Sequence, residues 1–283
     1  MQISAPDFDL ALTLDSGQTF HWDPLGKGFL GAIGERAVYV EQRGRKLLVR
    51  PDGMARDCAR YFSLDHPLPA ICASLPADPA MQAAAQFCRG LRIMRQPRWE
   101  CLATFITSSM KQVAHIRQIS LTLRQRFGKR RSLGKNTVFT YPSAERIAGL
   151  NETILRSCAL GYRAKNLLAT ARLVASDEVK LEALDELPDE ELRAKLCTLP
   201  GVGTKVANCV MLFAYERLRA FPIDVWVERV LREKYFPGRG KPTATQLREF
   251  AAHHFGEHGG YAQQYLFHHA RKTTPRRLSR GVR

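Results

Sequence analysis

The chain has 283 residues, enough for one large or two modest domains with a sizeable core. Its 45% hydrophobic and 25% charged residues are ordinary for a soluble globular protein. The net charge of +16 indicates a polyanionic partner, of which nucleic acid is the commonest and an acidic lipid surface the alternative. No signal peptide, basic amphipathic helix or run of about 18 apolar residues supports a membrane. We therefore expect a protein that is neither secreted nor membrane-spanning, located in the cytoplasm and nucleoid or in a nucleus.

Cysteine and histidine spacing gives no sign of a metal. The seven cysteines, an odd number without disulfide-like spacing, fit a reducing compartment. None forms a Cys-x-x-Cys pair and none follows Cys209, which excludes an iron–sulfur cluster ligated near the C-terminus. The eight histidines show no zinc-ligand spacing with cysteine. We expect no metal, no cofactor and a monomeric protein.

Residues 1–75 have the pattern of a small β-rich domain. Alternating and β-branched residues predict four strands, at 20–22, 28–33, 37–41 and 46–50. Residues 15–18 before them form a turn by composition, and turn geometry alone is a sufficient explanation for Gly17.

From residue 76 the pattern becomes helical and stays so to about residue 270. The fold class is therefore predicted to be α+β, with the β-rich domain followed by a mainly α-helical region. Residues 124–135 carry six basic residues and no acid, which fits either a solvated loop or a phosphate contact. The final residues, 271–283, carry six more and are expected to form a disordered basic tail.

The most informative stretch is the hairpin at residues 199–205, between two predicted helices. Pro200-Gly201 breaks the helix at 190–197, and apolar spacing predicts a second helix from about Thr204. Gly201 and Gly203 allow a sharp turn whose unpaired N–H groups, with the helix N-terminus, suit a phosphate. Lys205 lies in the first turn of that helix, where the helix dipole disfavours a cation. An ordinary solvated lysine remains an equally good interpretation.

Asp224 lies nineteen residues after Lys205, behind Pro222 and at the start of another predicted helix. The plain interpretation is a helix N-cap. Taken together, a lysine beside a phosphate-binding hairpin and a carboxylate at a neighbouring helix start suit convergence on one sugar.

The segment from Leu199 to Asp224 resembles the helix-hairpin-helix, Gly-Pro-rich loop and aspartate signature of the DNA glycosylase superfamily. The form Gly-Val-Gly-Thr-Lys-Val-Ala, ending at 207, resembles its 8-oxoguanine DNA glycosylase branch. Further matches follow the family's order over nearly the whole chain, at 16–20, 96–109, 160–164 and 262–267.

The resemblance implies a pocket for an extruded base. In it, the carbonyl oxygen of Gly17 would accept the hydrogen that 8-oxoguanine carries at N7, where guanine has only an acceptor. Gln263 would bind the Watson–Crick edge, and Phe267 and Cys209 would stack on the two faces of the base. A core aromatic and a plain buried thiol are the alternatives for Phe267 and Cys209.

The resemblance also implies DNA contacts by six residues: Met110, Tyr162, Arg163, Gly201, Gly203 and Trp226. Tyr162 would wedge into the duplex and Arg163 would hold the unpaired cytosine, although Arg163 taken alone is better explained by a surface salt bridge. Met110 replaces the family's asparagine and suits either an apolar wedge or a core position. Trp226 replaces a phosphate-contacting histidine, which removes a charge.

These residues imply a bifunctional DNA glycosylase/AP lyase of base excision repair. Its partner would be double-stranded DNA carrying oxidised guanine opposite cytosine. Lys205 would attack the sugar and form a Schiff base, Asp224 would stabilise the developing positive charge, and β-elimination would nick the strand. Two alternatives remain open: a monofunctional glycosylase in which Asp224 directs water, and a non-catalytic DNA-binding module.

Overall fold

The computed structural model describes residues 1–108, 112–238 and 240–274, and within them the chain folds as seven strands and fourteen α-helices. The strands are β1 (Gln2–Ser4), β2 (Asp23–Leu25), β3 (Gly28–Ile33), β4 (Arg36–Arg43), β5 (Lys46–Arg50), β6 (Arg130–Leu133) and β7 (Asn136–Phe139). The first eight helices are α1 (Leu10–Asp15), α2 (Ala55–Tyr61), α3 (Leu68–Ala73), α4 (Pro79–Phe87), α5 (Arg98–Ser108), α6 (Val113–Phe127), α7 (Ala144–Ala148) and α8 (Glu152–Leu155). The others are α9 (Arg163–Ala175), α10 (Asp189–Cys197), α11 (Thr204–Ala214), α12 (Val225–Tyr235), α13 (Ala244–Phe255) and α14 (Gly259–Thr273). The α+β class predicted from the sequence is confirmed.

The N-terminal strands form a five-stranded antiparallel sheet in the order β1-β5-β4-β3-β2. Alternate residues of β4 and β5 face a core of their own, with Val40 paired to Val49 and both fully buried. Gly31 of β3 lets the indole of Trp22 pack directly on the sheet, because a Cβ at Gly31 would lie 2.5 Å from that ring.

One of the four predicted strands is wrong. Residues 20–22 form no strand, and the sheet edge is instead β2, which pairs with β3 across the tight turn at Gly26. Phe20 and Trp22 are apolar because they fill the core from an irregular segment. Two buried apolar residues at i and i+2 give the sequence pattern of a strand even where the segment pairs with no strand. The sequence pattern also missed β1 and the helices α1, α2 and α3 within residues 1–75.

The helical region surrounds α11, which is buried from Val206 to Phe213 and packs against α5 and α10. The predicted helices on both sides of the hairpin are confirmed as α10 and α11, and the one that follows Asp224 as α12. Helix α14 packs against α4 and α12, so the C-terminal helix is fixed beside α12.

The basic run at 124–135 is not a solvated loop. Arg124 belongs to α6 and is buried, where its guanidinium pairs with the buried carboxylate of Glu100. Arg126 also lies in α6, and the residues from Lys129 onward lead into and form the β6–β7 hairpin, where Lys129 and Arg131 pair with Glu35. Half of the six cations therefore already pair with protein carboxylates, which weakens the phosphate-contact interpretation.

The basic tail begins later than predicted, because α14 continues through Thr273 and makes Arg271 part of a helix. The remainder from 275 lies outside the described residues. The boundaries 1–75, 76–270 and 271–283 otherwise stay predictions. Within the described ranges, no helix combines the length and apolar character needed to cross a membrane.

The buried Glu100–Arg124 pair predicts a large stability difference. Arg124→Ala should lower the free energy of unfolding by about 3–5 kcal/mol, because it leaves the Glu100 carboxylate buried without its cation. The exposed pair of Arg156 with Glu152 is the matched control. Arg156→Ala should cost about 1 kcal/mol at most, measured for both variants by urea unfolding. Equal losses would show that the Glu100–Arg124 pair contributes no more than a surface pair.

Candidate active site

The hairpin between α10 and α11 is held from one side and open on the other. The carbonyl of Pro200 accepts a hydrogen bond from Thr170 of α9 at 2.9 Å. Gly201 has φ +81° and lies so close to Asn166 that a Cβ would be 2.8 Å from that side chain. Gly203 is exposed, and a Cβ there would meet nothing within 4 Å. Packing therefore requires glycine at 201, whereas the bare surface at Gly203 is free for another molecule to approach.

Lys205 is half-buried at the start of α11, with Nζ 5.2 Å from the centroid of the Phe105 ring. Phe105 is itself stacked on Phe213, at 5.5 Å between centroids. Cys209 lies one turn further along α11 and is 3% exposed, and burial raises the pKa of its thiol although a hydrogen bond and charge from Lys205 act in the opposite direction. The lysine is thus neither core filler nor a freely solvated side chain.

Asp224 is the N-cap of α12. Its Oδ1 accepts hydrogen bonds from the backbone N–H of Trp226 at 3.0 Å and of Val227 at 2.9 Å. Burial raises the pKa of the carboxyl, while the two N–H groups and the positive charge of Lys205 partly offset that rise. The N-cap interpretation is confirmed, and Asp224 also lies within electrostatic range of Lys205.

The turn at Gly17 is fixed on both flanks. The carbonyl of Ser16 accepts a hydrogen bond from Gln264 at 2.8 Å, and that of Gln18 accepts one from Gln96 at 2.8 Å. The buried side chain of Gln18 bonds the backbone of Arg92 and Met94. In the described part of the chain, nothing donates to the carbonyl of Gly17 itself. The turn therefore presents one unused acceptor on a rigid support.

Gly17 and Phe267 are in direct contact although 250 residues separate them. Gly17 has φ +88°, and a Cβ there would lie 3.1 Å from the Phe267 ring. Arg271, one turn further along α14, places its guanidinium 5.6 Å from that ring's centroid and donates to the Asp15 carbonyl. The sequence pattern missed Arg271 because it was assigned to the tail. Its i+4 spacing from Phe267 was the available signal.

Gln263 shares a face of α14 with Phe267 and is 4% exposed. Its amide oxygen is buried and has no hydrogen-bond partner among the residues that the structure describes. A buried amide oxygen without a hydrogen-bond donor costs free energy, so its presence here points to a ligand that donates to it. Phe267 is only partly buried at the edge of the core, which agrees with a ring that has one free surface.

Tyr162 and Arg163 follow Gly161, which turns the chain between two helices with φ +58°. Tyr162 is 57% exposed, whereas Arg163 is buried with its guanidinium 4.4 Å from the Tyr162 ring centroid. Arg163 also donates to the carbonyl of Leu160 at 3.3 Å. The alternative of a surface salt bridge at Arg163 is wrong because the residue is not on the surface. Met110 lies outside the described residues.

Comparison with known proteins agrees with this geometry. The 8-oxoguanine DNA glycosylase N-terminal domain matches residues 1–102, and the HhH-GPD superfamily of base excision DNA repair proteins matches residues 103–253. A probable N-glycosylase/DNA lyase of Methanothermobacter thermautotrophicus is 29% identical, and the match covers 96% of each chain.

Solved structures give the same result. MBOgg1, in complex with a low-affinity DNA ligand, is 32% identical with a TM-score of 0.90, over 96% of this chain and 95% of that one. The 8-oxoguanine glycosylase/lyase of Clostridium acetobutylicum, in complex with double-stranded DNA containing cytosine opposite 8-oxoguanine, is 28% identical with a TM-score of 0.89. That match covers 96% of this chain and 98% of the other.

The fold and the site define a DNA base excision repair enzyme of the helix-hairpin-helix class. The chain belongs to the HhH-GPD superfamily, and within it to the 8-oxoguanine DNA glycosylase/lyase family.

The cap at Asp224 makes stability and activity separable. Asp224→Asn keeps an oxygen for the two N–H groups of α12 and should melt close to the wild type, whereas Asp224→Ala should lose about 1 kcal/mol. If the carboxylate also acts in the reaction, both variants should excise the base far more slowly, on the order of 10²-fold. Thermal melting and single-turnover excision on the same preparations compare the two effects. Full activity in Asp224→Asn would mean that Asp224 acts only as the helix N-cap.

Proposed function

We propose that this chain is a bifunctional DNA glycosylase/AP lyase that excises 8-oxoguanine opposite cytosine through a Schiff base at Lys205, then nicks the strand by β-elimination. The observation that carries the proposal is the half-buried Lys205, packed over Phe105 and within electrostatic range of Asp224. A half-buried amine that lies against an aromatic ring and within electrostatic range of a carboxylate suits a nucleophile.

The reaction begins with the uncharged amine of Lys205. Its nitrogen attacks C1′ of the sugar while the bond from C1′ to the base breaks and the electron pair leaves with the base, which takes up a proton. The nitrogen gives up one proton, and its lone pair then forms the C1′=N bond of the protonated Schiff base while the C1′–O4′ bond breaks and O4′ takes up a proton. Removal of a C2′ proton then expels the 3′ phosphate.

Asp224 stabilises the positive charge that develops at C1′. Its Oδ1 is engaged by two backbone N–H groups, which fixes the carboxylate and leaves Oδ2 available to face the sugar. Because burial raises the pKa of this carboxyl, protonation removes the needed charge at a higher pH than for an exposed aspartate. Activity should accordingly fall towards acid pH, where Asp224 is neutralised.

The base pocket is formed by Gly17, Gln263, Phe267 and Cys209. The unused carbonyl of Gly17 attracts the N7 hydrogen of 8-oxoguanine and repels the bare N7 acceptor of guanine. The Watson–Crick edge of the base offers a hydrogen-bond donor to the unpaired amide oxygen of Gln263. Phe267 has a free surface for stacking, and the apolar Cys209 thiol suits the opposite face.

Around the pocket, the exposed ring of Tyr162 suits a wedge, and Arg163 lies directly behind it to hold the unpaired cytosine. The open surface at Gly203 allows a phosphate close to the hairpin. Met110 and Trp226 remain proposed DNA contacts. We propose that the enzyme acts as a monomer on double-stranded DNA and needs neither a metal nor a cofactor.

The two alternatives explain less. A monofunctional glycosylase accounts for Asp224 but gives no reason to bury Lys205 against an aromatic ring. A non-catalytic module accounts for the hairpin but not for the contact between Gly17 and Phe267 or the unpaired Gln263 amide.

Lys205→Gln separates a nucleophile from a phosphate-binding lysine. The variant keeps length and polarity but lacks the amine, so it should lose base excision and borohydride trapping while still binding duplex with 8-oxoguanine opposite cytosine. Lys195→Gln is the matched control, since Lys195 is an exposed lysine in the neighbouring α10. It should keep both activities. Excision by Lys205→Gln at saturating enzyme would rule out the Schiff-base route.

Arg163→Ala tests recognition of the opposite base. It should reduce excision most when cytosine faces the lesion, by roughly 1–3 kcal/mol in the activation free energy, because a bidentate base contact is lost. Tyr162→Ala is the control, because loss of a wedge should slow excision equally for all four opposite bases. Single-turnover rates on four duplexes make the comparison. A uniform loss in Arg163→Ala would mean that this arginine does not read the base.

A further inference from the structure

Helix α12 carries an arginine stacked on the tryptophan beside the Asp224 cap. The guanidinium carbon of Arg229 lies 5.5 Å from the centroid of the Trp226 ring. The two residues are three apart and therefore neighbours on the helix surface. Trp226 is partly buried, Arg229 is exposed, and Val225 next to them has 72% of its surface exposed. A large ring thus supports an exposed cation at the edge of the site.

The neighbouring charges on this helix leave Arg229 unneutralised. Arg232 pairs with Glu228 one turn earlier at 2.6 Å. Within the described residues no carboxylate comes within 4.0 Å of the Arg229 guanidinium, and that includes Glu233, which has the i+4 spacing for a pair. Arg229 stacks on the Trp226 ring and does not pair with Glu233, so its guanidinium is available to bind an anion outside the protein.

We propose that Arg229, supported by Trp226, binds a phosphate of the damaged strand next to the extruded nucleotide. The proposal rests on the function proposed above and extends the DNA contacts of that site. With a rise of 1.5 Å per residue, Arg229 lies about 7.5 Å along α12 from Asp224. An extended arginine side chain at that position would reach a phosphate that flanks the sugar at Asp224.

The stacking of Arg229 on its ring also gives a reason for a tryptophan at position 226. Guanidinium binds phosphate with a planar fork and stacks on aromatic faces, and a ring that holds the side chain reduces the rotamer entropy lost on binding. Trp226 carries no charge, and the charge is supplied one turn later by Arg229.

Binding measured against salt tests the proposal, because each neutralised phosphate contributes about 0.9 to the slope of log K on log salt. Arg229→Gln should flatten this slope by about one for duplex with 8-oxoguanine opposite cytosine. Affinity at low salt should fall roughly tenfold. The loss should fall on Kd more than on the excision rate at saturating enzyme.

Two variants sharpen the result. Arg232→Gln removes a charge that Glu228 already neutralises on the same helix, so it should leave the slope unchanged. Arg229→Lys keeps the charge and should retain most of the slope, which separates loss of charge from damage to α12. Trp226→Leu should weaken binding in the same direction as Arg229→Gln, since the cation loses its support.

An unchanged slope in Arg229→Gln, or the same loss in Arg232→Gln, would overturn the proposal. Its failure is distinguishable from failure of the proposed function. Wild-type protein that binds duplex without salt dependence, or does not excise 8-oxoguanine, contradicts the proposed function. Active, salt-sensitive wild type with an unaffected Arg229→Gln variant contradicts only the role of Arg229.

Discussion

The electrostatic interaction between Lys205 and Asp224 is the constraint around which the rest of the site is arranged. Each residue begins a helix, where the dipole favours negative charge and opposes positive charge. Asp224 matches its helix and is held by two N–H groups, whereas Lys205 opposes its own. Burial disfavours the negative charge of Asp224 and raises the pKa of its carboxyl. A lysine at this helix start is unfavourable for stability, so its presence indicates a role in the reaction. The chemistry of its amine therefore dominates the proposed function.

The fold maintains this arrangement through α5, which joins the two parts of the chain. Near its start, Glu100 pairs with Arg124 and lies 3.4 Å from the buried His21 of the N-terminal domain, whose pKa burial lowers well below its usual value. Five residues later, Phe105 supports the amine of Lys205. A buried ion pair adds little net stability, but it requires one arrangement of its partners. The segment that carries Gly17 is thereby fixed relative to the helix that supports Lys205.

The sequence predicts the parts of this site that depend on local signals. Glycine, proline and N-cap residues determine the hairpin at 199–205 and the start of α12, and both are found where predicted. Features made by contacts between distant residues are missed, such as Phe105 below Lys205. Charge composition misleads for the same reason, because Arg124 finds its carboxylate 24 residues away. The roles of the contact residues in DNA binding remain predictions.

Mapping the covalent adduct tests the central claim most directly. Wild-type enzyme is incubated with duplex that carries 8-oxoguanine opposite cytosine, reduced with borohydride, digested with nuclease and trypsin, and analysed by mass spectrometry. The account predicts a sugar remnant on Lys205, within a fragment of residues 196–217 that trypsin no longer cleaves after position 205. An adduct on another lysine or on the N-terminal amine, or base excision without any adduct, would contradict it.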